Sequence, residues 1–472
     1  MADRETPTAK EEYNVYERAG WKDYFTRSRA VLLVIDPQND VLDEKGSLGF
    51  WQVWKHTAEN NSIENIKKII PACRKAGMPV IWAKQYRLEN GRDVFPGTWD
   101  GDSLTLIRTL LPDGFMENTW ETGIYPDLAE CIDEHDIVIG KHGSSMFEGT
   151  ALEKYLRNIG AQVLIVTGFL TDFCIEATVR SACDKGYLGV TVADGCATQN
   201  EELHSLALQR LQRMIGPVAS TDEILNLIGN SKAKPLPSVK RTFDMEDIGK
   251  KMAEGLSLND IVDWKQYLRK EDTALLVIDP QNDNLHPDGS LAFTGSWKQA
   301  KESGAIENLK KVVRVCRDVQ IPVFWVKQNR LPEGKDIFPG TFDEQVMNVA
   351  HQAIPGAFPG GTRDADFYDE IKSFIEENEI VIEKATWSAF ESTPLERYLN
   401  HLGVTSIIVC GFLTDFCVEA TVRNASDRGY FSIIVSDACA AATKEDHEHA
   451  LARFDRLIGP VVDTATLVNF LK

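Results

Sequence analysis

The sequence has little of what would carry a chain to a membrane, to nucleic acid or out of the cell. No apolar run is long enough to span a bilayer. The start, Met1-Ala2-Asp3-Arg4-Glu5-Thr6-Pro7, lacks the apolar core of a signal peptide. Basic residues are outnumbered, 51 Lys and Arg against 71 Asp and Glu, for a net charge of −20. No basic stripe is therefore available to release counterions from nucleic acid or to rest on an anionic membrane. The nine cysteines are odd in number and none falls in CxxC spacing, which favours reduced thiols in a cytoplasmic protein over a disulfide framework.

What the sequence has instead is a second copy of itself. Val-Ile-Asp-Pro-Gln-Asn-Asp contains Asp36 in the first half and Asp279 in the second. Lys141 and Lys384 stand at the same separation, as do Cys174 and Cys417. Trp21-Lys22 matches Trp264-Lys265, and Phe95-Pro96-Gly97-Thr98 matches Phe338-Pro339-Gly340-Thr341, at that separation too. No net insertion separates these anchors. Each copy is domain-sized, too long for a solenoid unit, and 472 residues hold two to four domains. The expected organisation is an N-terminal arm at 1–20, a first domain at 21–229, a partly helical linker at 230–263 and a second domain at 264–472.

Within the first copy the apolar periods alternate. Val31-Leu32-Leu33-Val34-Ile35 reads as a fully buried strand. Ile63, Ile66, Ile69, Ile70 and Cys73 share a helical face that Gly77 can end. Strands are expected at Val80–Ala83, Ile137–Ile139, Val163–Val166 and Val190–Val192. Helices are expected around Leu152–Ile159, after Cys174, over Glu201–Met214 and over Asp222–Ile228. Strands alternating with helices predict an α/β fold with a mostly parallel sheet covered on both faces, built twice.

In such a sheet the ligand site lies beyond the carboxyl ends of the strands. Asp36, Lys141 and Cys174 each stand at one of those ends, so the fold can bring them together. Thr171 is a candidate N-cap that would put Cys174 in a first helical turn, where exposed N–H groups and the helix dipole favour a thiolate. Each residue has a plainer reading. Asp-Pro commonly opens a turn, a lysine after a strand is usually solvated, and a small buried cysteine is common at a strand-to-helix turn.

The motifs together resemble the isochorismatase-like cysteine hydrolases. The likeness is carried by Asp36-Pro37-Gln38-Asn39-Asp40, by Gly140-Lys141 with Phe147-Glu148-Gly149-Thr150, and by Gly168–Cys174 with Glu176-Ala177-Thr178. In the second copy Asp279–Asp283, Glu383-Lys384 with Ser388–Thr393, and Gly411–Cys417 with Glu419-Ala420-Thr421 carry it. It implies two tandem three-layer αβα domains of Rossmann-like, isochorismatase-like hydrolase type. It further implies an Asp-Lys-Cys triad in each, Asp36-Lys141-Cys174 and Asp279-Lys384-Cys417, cleaving a C–N bond of a small amide, carbamoyl or ureido compound through a thioester. Members act on nicotinamide, N-carbamoylsarcosine, ureidoacrylate and biuret. An oxyanion hole would be formed by Leu170 and Cys174, and by Leu413 and Cys417, with a non-proline cis peptide near Phe169–Leu170 and Phe412–Leu413. A small-molecule substrate is the implied partner, and the two copies would pack as an intramolecular pseudo-dimer open to further homo-oligomerisation.

Two departures narrow the resemblance. The metal-binding histidines of nicotinamidases have no counterpart in Trp82–Leu88 or Trp325–Leu331, so neither a metal nor another cofactor is expected. Ether-cleaving isochorismatases lack the cysteine, which counts against that activity. It stays an alternative, as does a binding protein that kept the fold and lost turnover. For substrate contacts the sequence offers Gln85, Arg87 and Trp99, with Gln328, Arg330 and Phe342 in the second copy. Arginine supplies a planar fork for a carboxylate or ureido oxygen, and the aromatics a pocket wall. Gln212 is a further candidate, replaced by Asp455 in the second copy. His204 and His447 read as structural or exposed, and Cys196 and Cys439 as packing residues.

Overall fold

The structure is a computed structural model. It describes residues 20–89, 99–234, 263–331, 342–354 and 360–472. The chain divides into two compact units, Met1–Pro237 and Ser238–Lys472. Most of the expected linker lies outside the described residues.

Unit one is built on six strands: β1 Ala30–Ile35, β2 Val80–Gln85, β3 Ile137–Lys141, β4 Val163–Phe169, β5 Leu188–Ala197 and β6 Val218–Ala219. Their order across the sheet is β3-β2-β1-β4-β5-β6. Every neighbouring pair is parallel. The expected α/β architecture is therefore present, with helices on both faces.

The alternation of β1 explains why it reads as one unbroken apolar run. Leu32 and Val34 pack with Ile66, Ile69, Ile70 and Cys73 from the helix Ser62–Lys75. Val31, Leu33 and Ile35 point the other way and pack with Leu152, Leu156, Ile175 and Val179. A strand covered on both sides has no polar face to show in its sequence. Each fully buried aliphatic side chain contributes about 1.5–3 kcal/mol, so this central strand anchors two cores at once.

Unit two repeats the plan with β7 Thr273–Ile278, β8 Val323–Gln328, β9 Ile380–Lys384, β10 Ser406–Phe412, β11 Phe431–Ala440 and β12 Val461–Val462. Its order, β9-β8-β7-β10-β11-β12, is that of unit one. The helices Glu201–Met214 and Thr221–Gly229 fall where the periodicity puts them. β5 runs well past Val192, because its far end continues alongside β4 after a register shift between Val166 and Gly168. All nine cysteines are free. Among the described residues no helix is long and apolar enough to cross a membrane.

Candidate active site

The strand order decides which side chains meet. β3, β2, β1 and β4 are consecutive neighbours, so their carboxyl ends lie side by side. Lys141 closes β3, Gln85 closes β2, Asp36 follows β1, and Cys174 follows β4 after one turn. Gln85 and Lys141 are register partners in the ladder, and the Asp36 N–H donates to the Ala83 carbonyl at 3.0 Å.

At this edge Lys141 Nζ lies 2.8 Å from Asp36 Oδ2. The same ammonium donates to Gln85 Oε1 at 2.7 Å and to the Gly143 carbonyl at 3.0 Å, and lies 3.4 Å from Cys174 Sγ. Cys174 Sγ is 3.2 Å from Gln85 Oε1. Lys141 is fully buried, and Asp36 and Cys174 are each 4% exposed. A lysine on an edge strand would ordinarily reach water, so burial without a solvated route marks it as a built ion pair.

Unit two reproduces the arrangement. Lys384 Nζ is 2.7 Å from Asp279 Oδ2, 3.5 Å from Cys417 Sγ and 2.8 Å from the Thr386 carbonyl. The amide of Gln328 differs. Turned with its oxygen toward Arg330, it accepts from Nη2 and Nε at 2.9 and 3.1 Å. A terminal atom of that amide stands 4.0 Å from Cys417 Sγ.

Burial sets the protonation of the site. It raises the Asp36 carboxyl above the usual range against the pull of Lys141, and makes it a better base. Burial also works to lower Lys141, but the Asp36 and Cys174 charges outweigh it and the ammonium keeps its proton. The thiol of Cys174 is pushed well up by desolvation, and Cys417 likewise. This corrects the expectation of a thiolate favoured by the helix start. Desolvation outweighs the pull of the Lys141 ammonium, and the Asp36 charge adds to the rise, so the shift runs toward the thiol.

The turn itself also departs from expectation. Leu170, not Thr171, occupies the N-cap position, with no side-chain cap. The Thr171 hydroxyl is instead 2.8 Å from His204 Nδ1, and Thr414 makes the same contact to His447. The two histidines thus hold the threonines that open the cysteine turns. Residues Thr171–Ile175 form one turn of π-helical geometry, with the Ile175 N–H donating to the Leu170 carbonyl at 3.1 Å. The peptide bonds Phe169–Leu170 and Phe412–Leu413 are cis, as the resemblance implied.

Two backbone positions hold these groups in place. Asp36 and Asp279 have φ of 49° and 45°, the left-handed region that a residue with a side chain seldom enters. Gly168, at φ 120°, lies so close to β1 that a Cβ there would sit 2.1 Å from the Ile35 carbonyl oxygen. Only glycine allows β4 to approach β1 that closely.

A pocket opens directly over Cys174, and Gln85 and Arg87 line it together with Leu104 and Phe173. Arg330 and Gln328 line the corresponding pocket over Cys417. Trp99 and Phe342 begin the helices Trp99–Leu110 and Phe342–Ala353, but their side chains lie outside the described residues. So do Phe95–Thr98 and Phe338–Thr341. Gln212 is not among the residues lining the first pocket. Cys196 and Cys439 are buried in the cores.

Two matched pairs of residues at the site had no role assigned from the sequence, Gln38 with Gln281 and Asp40 with Asp283. Gln38 and Gln281 brace Gln85 and Gln328, although the repeated Asp-Pro-Gln-Asn-Asp string already contained them. Asp40 lines the first pocket at 1% exposure, and its Oδ1 has no hydrogen-bond partner. Burial raises its carboxyl well above the usual range, with the Glu121 and Asp36 charges adding to the effect. Asp283 is raised in the same way, by burial and by Asp364.

The fold and site are those of a tandem α/β protein with a cysteine, a lysine and an aspartate at each sheet edge. The Isochorismatase domain matches residues 30–223 and again residues 273–466, and the chain belongs to that family. It is 34% identical over 171 residues to the "Uncharacterized isochorismatase family protein YddQ" of Bacillus subtilis, covering 36% of this chain and 79% of that one. It is 29% identical over 210 residues to "Ureidoacrylate amidohydrolase RutB" of Acinetobacter baylyi, covering 43% of this chain and 84% of that one. Similarity to "Nicotinamidase 3" of Arabidopsis thaliana is 29% over 193 residues, covering 40% and 85%.

Proposed function

We propose that each unit is a metal-independent cysteine amidohydrolase acting on a small amide, carbamoyl or ureido compound. The observation that carries this reading is the placement of one buried ammonium, Lys141 Nζ, 2.8 Å from Asp36 and 3.4 Å from Cys174, repeated around Lys384 at 2.7 and 3.5 Å. Similarity to a ureidoacrylate amidohydrolase and a nicotinamidase supports the choice of C–N bonds.

The steps follow from the protonation state. Asp36, made more basic by burial, takes the Cys174 proton while Lys141 holds the carboxylate in place. The sulfur attacks the substrate carbonyl carbon and the C=O electron pair moves to oxygen. The N–H groups of Phe173 and Ile175 are committed to the Leu170 carbonyl at 3.1 Å, and the amides of Leu170 and Cys174 are our assignment for the oxyanion donors. As the tetrahedral centre collapses, Asp36 passes its proton to the leaving nitrogen, and ammonia or an amine departs. Water, deprotonated by Asp36, then cleaves the thioester and the thiol is restored.

The test is ammonia release from a panel of amides and ureido compounds by Cys174→Ala, Cys417→Ala and the double variant. Each single variant should lose one component of turnover and the double variant should lose both. Turnover unchanged in the double variant would overturn the proposal.

A further inference from the structure

The two pockets over the two cysteines differ in size although their triads match. The cavity above Cys174 encloses about 50 Å³, and the one above Cys417 about 380 Å³. Sites for drug-sized ligands usually begin at about 300 Å³. The second cavity is in that range and the first holds only a molecule of a few heavy atoms.

Several of the described wall residues differ between the copies. Trp51 walls the first pocket from the short turn Gly49–Trp51, and Thr294, at the end of the matching turn Ala292–Thr294, takes its place in the second. An indole is thereby exchanged for a hydroxyethyl group. Ile107 lines the first pocket, and Ala350 occupies its position in the helix Phe342–Ala353. Exchanges also run the other way, Val346 standing where the first copy has Ser103. Trp387 lines the second pocket where the first copy has Ser144, and its ring packs edge-on to Phe416 at 5.4 Å between centroids. Bulk has been removed from one wall and an aromatic face added to another. That is a change of shape toward a flat apolar group, and not a general loosening.

Polarity shifts as well. Val41 of the first pocket is Asn284 in the second, and Leu104 is Met347, a side chain that adapts to irregular ligands.

We infer that the two sites divide substrates by size. The Cys174 site takes compact amides or ureido compounds of a few heavy atoms. The Cys417 site takes amides bearing an aromatic or branched apolar substituent, seated against Trp387 and Phe416. This inference rests on the amidohydrolase reading above and deepens it. The aspartate, lysine and cysteine recur in both sites, so the size preference is assigned to the wall residues. A buried apolar contact of this kind discriminates substrates by roughly 10- to 200-fold per methylene-scale change.

The test uses the full-length chain with chloroacetamide and N-benzyl chloroacetamide, and follows modification of Cys174 and Cys417 by peptide mass spectrometry. The Sγ–C bond forms, the C–Cl bond breaks, chloride leaves, and the thiol proton goes to Asp36 or Asp279. Chloroacetamide is expected to modify both cysteines, and the benzyl reagent to modify Cys417 at least about tenfold faster than Cys174. Trp51→Thr should raise benzyl modification of Cys174, and Thr294→Trp should lower that of Cys417. The same Cys174 to Cys417 ratio with both reagents in the native chain would overturn the inference and leave the amidohydrolase reading standing. That reading falls separately, if the Cys174→Ala, Cys417→Ala double variant keeps its turnover.

Discussion

Gln38 grips the backbone of Gln85 on both sides: its Nε2 donates to the Gln85 carbonyl at 2.8 Å, and its Oε1 accepts from the Gln85 N–H at 2.6 Å. Gln281 does the same to Gln328 at 2.9 and 2.6 Å. A single buried side chain thus joins the start of the Asn39–Leu42 helix to the end of β2, and sets the height of the Gln85 amide beside Lys141 and Cys174. Gln38 is a positioning residue, since it reaches the reacting atoms only through Gln85.

Gln38→Ala leaves a buried N–H and C=O unpaired, at about 1–3 kcal/mol for each group. Released from its brace, Gln85 no longer holds Lys141 at a fixed distance from the sulfur. In a Cys417→Ala background we expect kcat to fall roughly ten- to a hundredfold with KM little changed. Steady-state kinetics on any turned-over amide checks the split. A rise in KM at constant kcat would assign Gln38 to substrate binding instead.

Lys141→Met removes one partner of a buried ion pair and strands the Asp36 carboxylate. Breaking such a pair costs on the order of 3–5 kcal/mol, more than the pair itself contributes. The loss should appear in the urea unfolding transition of unit one and spare that of unit two. Adding Asp36→Asn should restore part of it, because the stranded charge is gone. Turnover at Cys174 should be absent in both variants.

Asp40 carries a pH prediction. Burial, with Glu121 and Asp36 nearby, raises its carboxyl in the folded state well above that of the unfolded chain. The sign follows from linkage: its contribution is complete below the unfolded carboxylate pKa of about 3.9 and is lost as pH rises through the raised folded value. Asp40→Asn cannot ionise. The stability of Asp40→Asn relative to the native chain should therefore improve from pH 4 to pH 7.5, as read from urea midpoints. A difference independent of pH would show that Asp40 ionises freely.

Gly168→Ala should be among the most damaging single changes in unit one. Its Cβ would meet the Ile35 carbonyl oxygen at 2.1 Å, and the backbone there is in a conformation that alanine resists. A loss of several kcal/mol, roughly 4 or more, is expected in thermal or chemical unfolding. Gly149→Ala is the control. It shares a positive φ of 69° but has nothing within 4 Å of the added carbon, so its cost should be much smaller.

Much of this architecture was legible in the amino-acid order, and the reason is local. Period, caps and breakers fix where strands and helices lie, and the repeat gave each assignment twice. Asp36, Lys141 and Cys174 were readable as candidates because each ends a strand or follows it by one turn. The opposing packing of Leu32 and Leu33 on the two faces of β1 was implied by its unbroken apolar run.

Other features depend on distances between segments far apart in the chain. The sequence did not place Gln85 between Lys141 and Cys174, because that follows from β2 lying between β3 and β1. It pointed to a favoured thiolate at Cys174, whereas burial contributed by surrounding elements reverses the direction. It marked Thr171 as a cap, but the hydroxyl turns to His204 on a helix beyond β5. The unequal pockets are written in Trp51, Thr294, Ser144 and Trp387. Those letters acquire meaning only once the fold sets each of them over its cysteine. Local propensity acts between neighbours in sequence, while desolvation, ion pairing and cavity shape are set by neighbours in space.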